Sequence, residues 1–380
     1  MNIKYLCYYD TIDSDENRYY VMSAKDKIDY IVSVLNKLGH SVLLVSASHT
    51  KNNKYYKSQT KDINDNTKLL LFATFGHTLS ITKVLSRLYT KIQLLTWLLI
   101  NIKSDDVLIV YHSLGYMNIV NIIRRIKKNT IIMEVEEIYS DVLEKEKIRE
   151  KEISYLSKKD CYIIPTELLK ETIRVGEKPT VVIYGRYNRY PHNGKKKNIH
   201  EIRVVYAGYL DASKGSVAAI ESAKYLPSNY KMHILGFGSD KDLNMVNCKI
   251  NDLVSQGYQI SFDGMLKGDI FDRFLSECDI GLCTQDPTAQ FSNTSFPSKI
   301  LNYLSHGLKV VAIEIPSLKQ SRINNCIFFY KDNNAKSIAE AIMIAAESDE
   351  CNSTEVIEKL DSEFTAEMDN LMNRLNKKEG

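Results

Sequence analysis

The sequence predicts an α/β protein with two consecutive domains, each built on a parallel, doubly wound sheet. Short apolar runs alternate with helical stretches along the chain, as they do in βαβ units. A polar, basic and turn-rich segment at residues 185–200 interrupts this alternation and is predicted to link the domains. The length of 380 residues, with 44% hydrophobic and 26% charged residues, is typical of a globular protein of two domains.

The first domain is predicted to span residues 1–184. Its candidate strands lie at residues 3–9, 41–47, 68–74, 106–111, 130–135, 160–164 and 180–184. Its candidate helices lie around residues 20–38, 80–102, 116–128 and 144–157. Gly39 is expected to end the first of these helices, because glycine readily takes the left-handed conformation found after a last helical turn.

The second domain is predicted to span residues 201–353. Its candidate strands lie near residues 202–207, 231–235, 258–262, 279–283, 308–313 and 326–330. Helical stretches separate most of these strands, and two further helices are expected at about 334–347 and 354–375. The repeated strand-helix order again predicts a Rossmann-like sheet.

Residues 294–315 read as a loop, a helix that opens with Pro297, a stop at Gly307 and a buried strand. A helix start offers unpaired N–H groups and a partial positive charge, which favour an anionic ligand. Ser298 and Lys299 would add a hydroxyl group and a full charge. An ordinary helix and strand of an α/β sheet is the alternative interpretation.

A second helix N-terminus that could bind an anion is expected upstream, where a hydrophobic strand ends at Gly208 and a helix begins near Lys214. Gly208 permits close approach of the backbone, and Lys214 is placed to meet a pyrophosphate. Gly236 and Gly238 follow the next strand and would let a nucleotide approach the backbone there. A simple tight turn is the alternative for that glycine pair.

Together these motifs resemble the C-terminal half of retaining glycosyltransferases of the family-four type, whose fold is two facing Rossmann-like domains (GT-B). The resemblance covers residues 202–330 well and the first half of the chain only in general plan. The matching pieces are Gly208 with Lys214-Gly215, Ile234-Leu-Gly-Phe-Gly238, Phe262-Asp-Gly264, Cys278-Asp-Ile-Gly-Leu282 and Lys299 to Gly307. The resemblance implies a UDP- or GDP-linked sugar donor, transfer with retention, no metal or other cofactor, and a C-terminal helix, residues 354–380, that packs on the first domain.

Three positions depart from the family pattern. The phosphate-binding arginine of the family is Tyr209 here, and the two glutamates of its Glu-x7-Glu motif fall on Thr294 and Asn302. Neutralisation of the donor diphosphate would therefore depend on Lys214, the helix starts and Lys299. Two other functions stay open: a nucleotide-sugar epimerase of the same fold, and a non-catalytic, glycosyltransferase-like binding partner.

Candidate residues for the acceptor side follow two strands of the first domain. His112 comes directly after a buried strand, where ligands meet doubly wound sheets, and could bond the acceptor hydroxyl or the donor sugar. Glu134, Glu136 and Glu137 cluster at the end of the next strand, and Glu136 is our candidate for orienting or deprotonating the acceptor. Local loop contacts for His112 and a solvated acidic loop for the glutamates are the alternatives.

Charge is distributed unevenly. Residues 1–200 hold 32 Lys and Arg against 22 Asp and Glu, a net +10, while the remainder holds 18 against 25, a net −7. The basic half could contact an anionic membrane, with solubility as the alternative role. The helix around Lys83 to Lys103 carries a wide apolar stripe, which fits core packing or a monotopic membrane contact with Trp97 at the headgroups.

The seven cysteines are scattered and show no C-x2-C pair, which predicts free thiols in a reducing compartment. The N-terminus runs directly into a candidate strand, so no signal peptide is expected. We therefore expect a cytoplasmic protein, acting at the inner face of the membrane where its acceptor is a lipid-linked saccharide. The predicted process is synthesis of a surface polysaccharide such as a capsule or O-antigen, and no nucleic-acid partner is expected.

Overall fold

The computed structural model describes residues 1–76, 80–190, 201–211, 215–287, 294–348 and 352–377, and the chain forms two compact units. The first unit comprises Met1–Pro165, Leu169–Arg186 and Phe364–Gly380, and the second comprises Thr166–Leu168 and Tyr187–Glu363. The change of unit after Arg186 falls within the predicted linker, of which residues 191–200 lie outside the described part of the chain.

The first unit contains an eight-stranded sheet. Its strands are β1 (Asn2–Cys7), β2 (Ser41–Ser46), β3 (Gln59–Asn64), β4 (Thr67–Leu71), β5 (Val107–Tyr111), β6 (Ile131–Glu134), β7 (Cys161–Ile164) and β8 (Thr180–Val182). Their order is β3-β4-β2-β1-β5-β6-β7-β8, and every pairing is parallel except that of β3 with β4. The parallel strands are those predicted from the sequence. β3 was not predicted, because its six residues are mostly polar and largely exposed.

The helices of the first half of the chain lie between these strands. They are α1 (Met22–Lys37), α2 (Ser80–Asn101), α3 (Met117–Lys127), α4 (Tyr139–Val142), α5 (Glu146–Leu156) and α6 (Glu167–Thr172). Gly39 has a φ of 82° just beyond the last turn of α1, which confirms it as the stop. Among the described residues, none of the helices combines the length and the hydropathy that a membrane-spanning segment needs.

The core on one face of this sheet is formed by apolar side chains from the strands and from α2, α3 and α5. Leu94 and Leu98 of α2 are fully buried in it, and Trp97 packs against it from one side. The indole meets the Phe72 ring edge-on at a centroid distance of 6.5 Å. The second half of α2 therefore packs on the core through Leu94, Trp97 and Leu98, and membrane contact by this helix stays a prediction.

The second unit contains a six-stranded, wholly parallel sheet with the order β11-β10-β9-β12-β13-β14. The strands are β9 (Ile202–Tyr209), β10 (Tyr230–Phe237), β11 (Ile260–Gly264), β12 (Ile280–Cys283), β13 (Lys309–Ile313) and β14 (Ile327–Tyr330). All six were predicted. The chain order reverses between β9 and β12, and in such sheets ligands bind beyond the carboxyl ends of the strands at that point.

The helices of this half are α7 (Ser216–Ser222), α8 (Asp240–Ser255), α9 (Gly268–Ser276), α10 (Ser298–Ser305), α11 (Pro316–Lys319), α12 (Ala335–Glu347) and α13 (Ser353–Asn376). Pro297 immediately precedes α10 as its N-cap, and Gly307 follows its C-cap with a φ of 77°. These two residues delimit the helix as predicted. The part of α13 from Phe364 onward belongs to the first unit, where the Phe364 ring lies 5.6 Å from that of Tyr30.

Candidate functional site

Two glycines bring the carboxyl ends of β9 and β10 close together. Gly208 and Gly236 are paired across these strands, and both have positive φ angles, of 155° and 146°. A Cβ atom at Gly236 would lie 1.7 Å from the carbonyl oxygen of Gly208. Only glycine fits this position without displacement of the strands. The result is bare backbone at the edge of the sheet where ligands are expected.

Lys299 lies against this backbone. It is the second residue of α10, and its Nζ atom is 3.6 Å from the centroid of the Tyr206 ring. A Cβ atom added to Gly208 would lie only 2.8 Å from the same Nζ. The negative face of a tyrosine ring attracts a cation, and Tyr206 is fully buried. The ammonium group is thereby held at the carboxyl end of β9.

A pocket of about 180 Å³ opens beside these groups. Its polar lining comprises Gly208, Gly236, Lys299 and Asn302, and its apolar lining comprises Ala207, Leu235, Phe237, Met265, Leu266, Phe271 and Tyr303. Backbone without side chains, at the two glycines, and one ammonium group can bind an anion. The apolar and aromatic side chains can cover a flat ring. This set of groups suits a nucleotide.

Tyr303 fixes α10 in place relative to the sheet. Its hydroxyl oxygen accepts a hydrogen bond from the Ala207 N–H at 2.9 Å and donates to the Leu282 carbonyl at 3.3 Å. Its ring fills the space left by Gly281, where a Cβ atom would lie 2.2 Å from the ring. Because Lys299 is on the same helix, this contact also sets the position of its ammonium group.

Lys214, predicted to stabilise the leaving diphosphate, lies outside the described residues. The next residue, Gly215, is the N-cap of α7 and has a φ of 81°. A Cβ atom there would lie 1.4 Å from the Thr284 carbonyl oxygen, and the Thr284 hydroxyl donates to the Gly215 carbonyl at 2.7 Å. The start of α7 is therefore packed directly on the chain that follows β12.

Four of the predicted donor residues come together in the pocket, namely Gly208, Gly236, Lys299 and Asn302. The other predicted donor residues in the described part of the chain lie outside its lining: Tyr209, Gly238, Thr294 and Ser298. The Tyr209 and Ser298 side chains are exposed. The Thr294 carbonyl accepts a hydrogen bond from the Thr166 hydroxyl at 2.8 Å. The roles proposed for these four residues stay predictions.

The first unit has its own pocket, of about 470 Å³, at the carboxyl ends of β1, β2 and β5. Tyrosines form much of its wall, and two cations of α2 lie at its edge. The tyrosines are Tyr8, Tyr19, Tyr111, Tyr116 and Tyr139, and the cations are Arg87 and Lys91. The Tyr8 and Tyr116 rings stack 4.7 Å apart, and Tyr19 meets Tyr8 edge-on. Flat aromatic faces with hydroxyl groups between them are suited to contact a sugar ring.

His112 lies beside this pocket but is buried, with only 1% of its surface exposed. Its Nε2 atom is 2.6 Å from Glu152 Oε1. The Tyr139 and Ser140 N–H groups donate to the same carboxylate, each at 2.9 Å. Burial alone would raise the pKa of Glu152, but the hydrogen bonds from His112 and Ser140 outweigh it and lower the pKa. Glu152 thus anchors the segment that carries Tyr139, His112 bonds to Glu152, and the role of His112 toward a substrate stays a prediction.

Glu136 does not line the tyrosine pocket. Its carboxylate accepts a hydrogen bond from the Lys27 ammonium group at 2.6 Å, and Lys27 is almost fully buried. Glu134 is fully buried and accepts a hydrogen bond from the Tyr5 hydroxyl. The interpretation of Glu134 as part of a solvated acidic loop is wrong, because its side chain is fully buried and bonded to Tyr5 of β1. Catalysis by Glu136 stays a prediction and would require release from Lys27.

The residues that sequence reasoning missed are mainly aromatic. Tyr206 lies two positions before Gly208, and strand alternation places the two on the same face of β9. Tyr8 and Tyr111 stand at the ends of neighbouring strands in the same way. Tyrosines at strand ends, in a chain with 24 of them, were a signal that the sequence did contain.

Comparison with known proteins gives a fold and no close relative. No model of a protein family matches the chain, and no curated protein matches it. Solved structures do. One, described as trehalose-6-phosphate from E. coli bound with UDP-2-fluoro glucose, matches with a TM-score of 0.71, 10% identity and 99% of each chain covered.

Two further structures agree with this one. A UDP-forming alpha,alpha-trehalose-phosphate synthase from Burkholderia xenovorans, in complex with glucose-6-phosphate, matches with a TM-score of 0.67, 10% identity and 99% of each chain covered. A trehalose-6-phosphate synthase studied for glycosyl transfer with retention has the same values. At this identity the likeness shows the fold, and it confirms the predicted two-domain architecture of parallel-sheet, Rossmann-like domains.

Proposed function

We propose that this protein is a glycosyltransferase that moves a sugar from a nucleotide-sugar donor to a saccharide acceptor with retention of configuration. The observation that carries the proposal is the Lys299 ammonium group, held by Tyr206 against the bare backbone of Gly208 in a pocket that suits a nucleotide. The ordered motifs of residues 202–330 and the fold shared with UDP-forming synthases support it.

The proposed reaction requires a cation next to the donor diphosphate. As the glycosidic bond of the donor breaks, the leaving nucleoside diphosphate gains negative charge, and a fixed ammonium group stabilises that charge without reorganisation. In the resembled family an arginine follows the first glycine, but here that position is Tyr209. Lys299 supplies a charge from α10 instead, and Lys214 is the second cation of the proposal. No metal is part of it.

We assign the acceptor side to the first unit. The tyrosine pocket offers aromatic faces for a sugar ring, and its edge carries Arg87 and Lys91. Our finer proposal is an enzyme of the family-four type with a UDP- or GDP-linked hexosyl donor. Its acceptor is a lipid-linked saccharide at the inner face of the membrane, used in the synthesis of a surface polysaccharide.

Thermal unfolding with added nucleotides tests the donor site. UDP, GDP, CMP and ADP are each added in excess to the wild type, to Lys299→Met and to Lys214→Ala. A nucleotide at about a hundred times its dissociation constant stabilises the fold by about 2.7 kcal/mol. We expect one of them to raise the melting temperature of the wild type, and each variant to weaken its binding by about tenfold or more, since hydrogen bonds to charged groups contribute about 1.5–3 kcal/mol.

The matched control is Lys319→Met. Lys319 also lies over an aromatic ring, that of Phe329, at 5.1 Å, and pairs with Glu314, but it is outside the pocket. This variant should respond to the nucleotide as the wild type does. No stabilisation by any nucleotide would refute the proposal and favour a non-catalytic binding protein. Once a nucleotide is identified, its sugar conjugates are assayed for acceptor-dependent release of the nucleoside diphosphate.

A further inference from the structure

The first half of α2 has polar side chains toward the protein and apolar side chains toward solvent. Ser86 and Thr90 are only 1% and 3% exposed. On the other side Val84 is 65% exposed, Leu88 is 51% exposed and Ile92 is 56% exposed. This is the reverse of an ordinary surface helix, whose apolar stripe faces the core. The predicted stripe is buried only in the second half of α2, from Leu94 onward.

The inward polar groups are satisfied, so this orientation is stable. The Ser86 hydroxyl donates to the Phe75 carbonyl at 2.7 Å, and the Thr90 hydroxyl donates to the Ser86 carbonyl at 3.1 Å. A rotation of the helix that buried the leucines would break the hydrogen bond from Ser86 to Phe75, while the bond from Thr90 to Ser86 lies within α2 and would persist. The apolar face is thus held outward, and a contiguous exposed apolar surface of this kind marks an interaction site.

The surface is also basic. Lys83, Arg87 and Lys91 are exposed among these apolar side chains, and none of them makes an ion pair with a described residue. No Asp or Glu occurs anywhere between Asn66 and Ser104. We call this the α2 docking surface, which consists of Lys83, Val84, Leu85, Arg87, Leu88, Lys91 and Ile92.

The α2 docking surface adjoins the tyrosine pocket. Arg87 and Lys91 line the edge of that pocket, and three other lining residues, Tyr19, Val21 and Leu143, are exposed large apolar side chains. Apolar surface therefore continues from α2 around the pocket opening. A partner that covers the helix would also reach the rim of the pocket.

We propose that the α2 docking surface binds an anionic lipid bilayer, with Val84, Leu85, Leu88 and Ile92 among the acyl-chain ends and the cations at the headgroups. Apolar side chains interspersed with lysine and arginine, without acidic residues, are the pattern of helices that lie in a membrane interface. A second copy of this chain fits less well, because self-association would bring cations of the same sign together.

The proposal does not depend on the glycosyltransferase assignment, since membrane binding is measured without any substrate. If both hold, a lipid-linked acceptor would enter the tyrosine pocket from the bilayer on which the protein rests. The two proposals can then fail separately, one in vesicle binding and the other in the response to nucleotides.

Vesicle flotation of the full chain tests the surface. We expect the wild type to float with phosphatidylcholine vesicles that contain phosphatidylglycerol. Its affinity for vesicles of pure phosphatidylcholine should be lower by about tenfold or more. Leu85→Ser with Leu88→Ser should reduce binding about tenfold or more, because the apolar contact is lost. Lys83→Glu should reduce binding to the anionic vesicles alone, by about fivefold or more.

The matched control is Ile270→Ser with Ile344→Ser, which removes two similarly exposed isoleucines from the second unit. It should float as the wild type does. All variants are on the surface and should keep the wild-type melting temperature and nucleotide response. The proposal is overturned if the wild type does not bind anionic vesicles, or if the variant with Leu85→Ser and Leu88→Ser binds them as strongly as the wild type does. It is also overturned if light scattering shows a dimer that the leucine variant breaks.

Discussion

The ammonium group of Lys299 lies over the ring of Tyr206, 3.6 Å from its centroid, although 93 positions separate the two residues in the sequence. The same ammonium group lies 2.8 Å from the place that a Cβ atom of residue 208 would take, two residues after Tyr206. One aromatic ring at the end of β9 therefore holds a cation from α10 where the proposed donor diphosphate would lie. Tyr206 is a positioning residue in this arrangement.

Replacement of Tyr206 should weaken nucleotide binding only when the ring is removed. Tyr206→Phe keeps the ring face and loses the hydroxyl group, which donates to the Tyr209 carbonyl, so nucleotide affinity should stay near that of the wild type. Tyr206→Leu removes a cation–π contact of about 0.5–2 kcal/mol, so the dissociation constant should rise about 2- to 30-fold. Isothermal titration with the nucleotide found by thermal unfolding measures both.

General destabilisation is controlled with Tyr330→Leu. Tyr330 is a buried tyrosine of β14 whose hydroxyl group has no hydrogen-bond partner among the described residues. This variant should lower the melting temperature and leave nucleotide affinity unchanged. Equal affinity for Tyr206→Leu and Tyr206→Phe would contradict the positioning role.

Gly236→Ala should destabilise the second unit markedly. The alanine Cβ would meet the Gly208 carbonyl oxygen at 1.7 Å, and a φ of 146° is strained for any residue with a Cβ. Overpacking of this kind costs about 1–3 kcal/mol beyond the backbone strain. Urea unfolding measures the free energy of unfolding. Gly257→Ala is the control, since Gly257 also has a positive φ, of 91°, but no atom within 4 Å of a new Cβ.

Gly257→Ala should therefore report the backbone strain alone, about 1–2 kcal/mol. The difference between the two variants reports the steric contact of β9 with β10 at the pocket together with the difference in backbone strain between a φ of 146° and one of 91°. Equal losses of stability would mean that the strands can move apart at no cost, so that the floor of the pocket is not rigid.

Glu152→Gln should destabilise the first unit, because each carboxylate oxygen accepts a different backbone N–H group. Oε1 accepts from Tyr139 and Oε2 from Ser140, and an amide nitrogen in either place would face a donor. The buried His112 would also lose its charged partner. We expect a loss of about 2–4 kcal/mol in urea unfolding. Glu150→Gln, which breaks only an exposed pair with Arg174, should cost less than about 1 kcal/mol.

The sequence was sufficient to predict the parallel strands and the glycines at their ends, because both leave local signals. Buried parallel strands are continuous apolar runs, and a helix stop such as Gly39 or Gly307 needs a left-handed backbone. β3 has neither signal. It is a polar edge strand that forms only because the chain turns back antiparallel onto β4.

The sequence was sufficient to identify individual residues of the candidate donor site, but not the contacts between them. Gly208, Gly236, Lys299 and Asn302 were each identified from motifs, whereas the contact of Lys299 with Tyr206 depends on how α10 packs on β9. For α2 the spacing predicted a helix, but apolar residues surround most of its circumference. The sequence therefore could not predict which face of α2 is exposed, because that depends on how the helix packs on the sheet.

The buried pair of Glu134 and Tyr5 should make the stability of the first unit depend on pH. Burial, and after it the nearby charge of Glu136, raise the pKa of Glu134 to about 8, although Lys27 and the hydrogen bond from Tyr5 oppose this. In the unfolded chain a glutamate titrates near pH 4.3. Between about pH 4.3 and 8 the folded state therefore binds more protons than the unfolded state.

The stability that the protonated carboxyl group contributes is present in full below about pH 4.3, falls as the pH rises, and is lost above about pH 8. The slope approaches about 1.4 kcal/mol per pH unit within this range. Glu134→Gln mimics the protonated form and its amide oxygen can still accept from Tyr5, so its stability should lack this decline. Urea unfolding at pH 5, 6, 7 and 8 should show the variant gaining on the wild type at each step. Parallel curves for the two proteins would show that Glu134 is already charged in the fold, with Lys27 serving both Glu134 and Glu136.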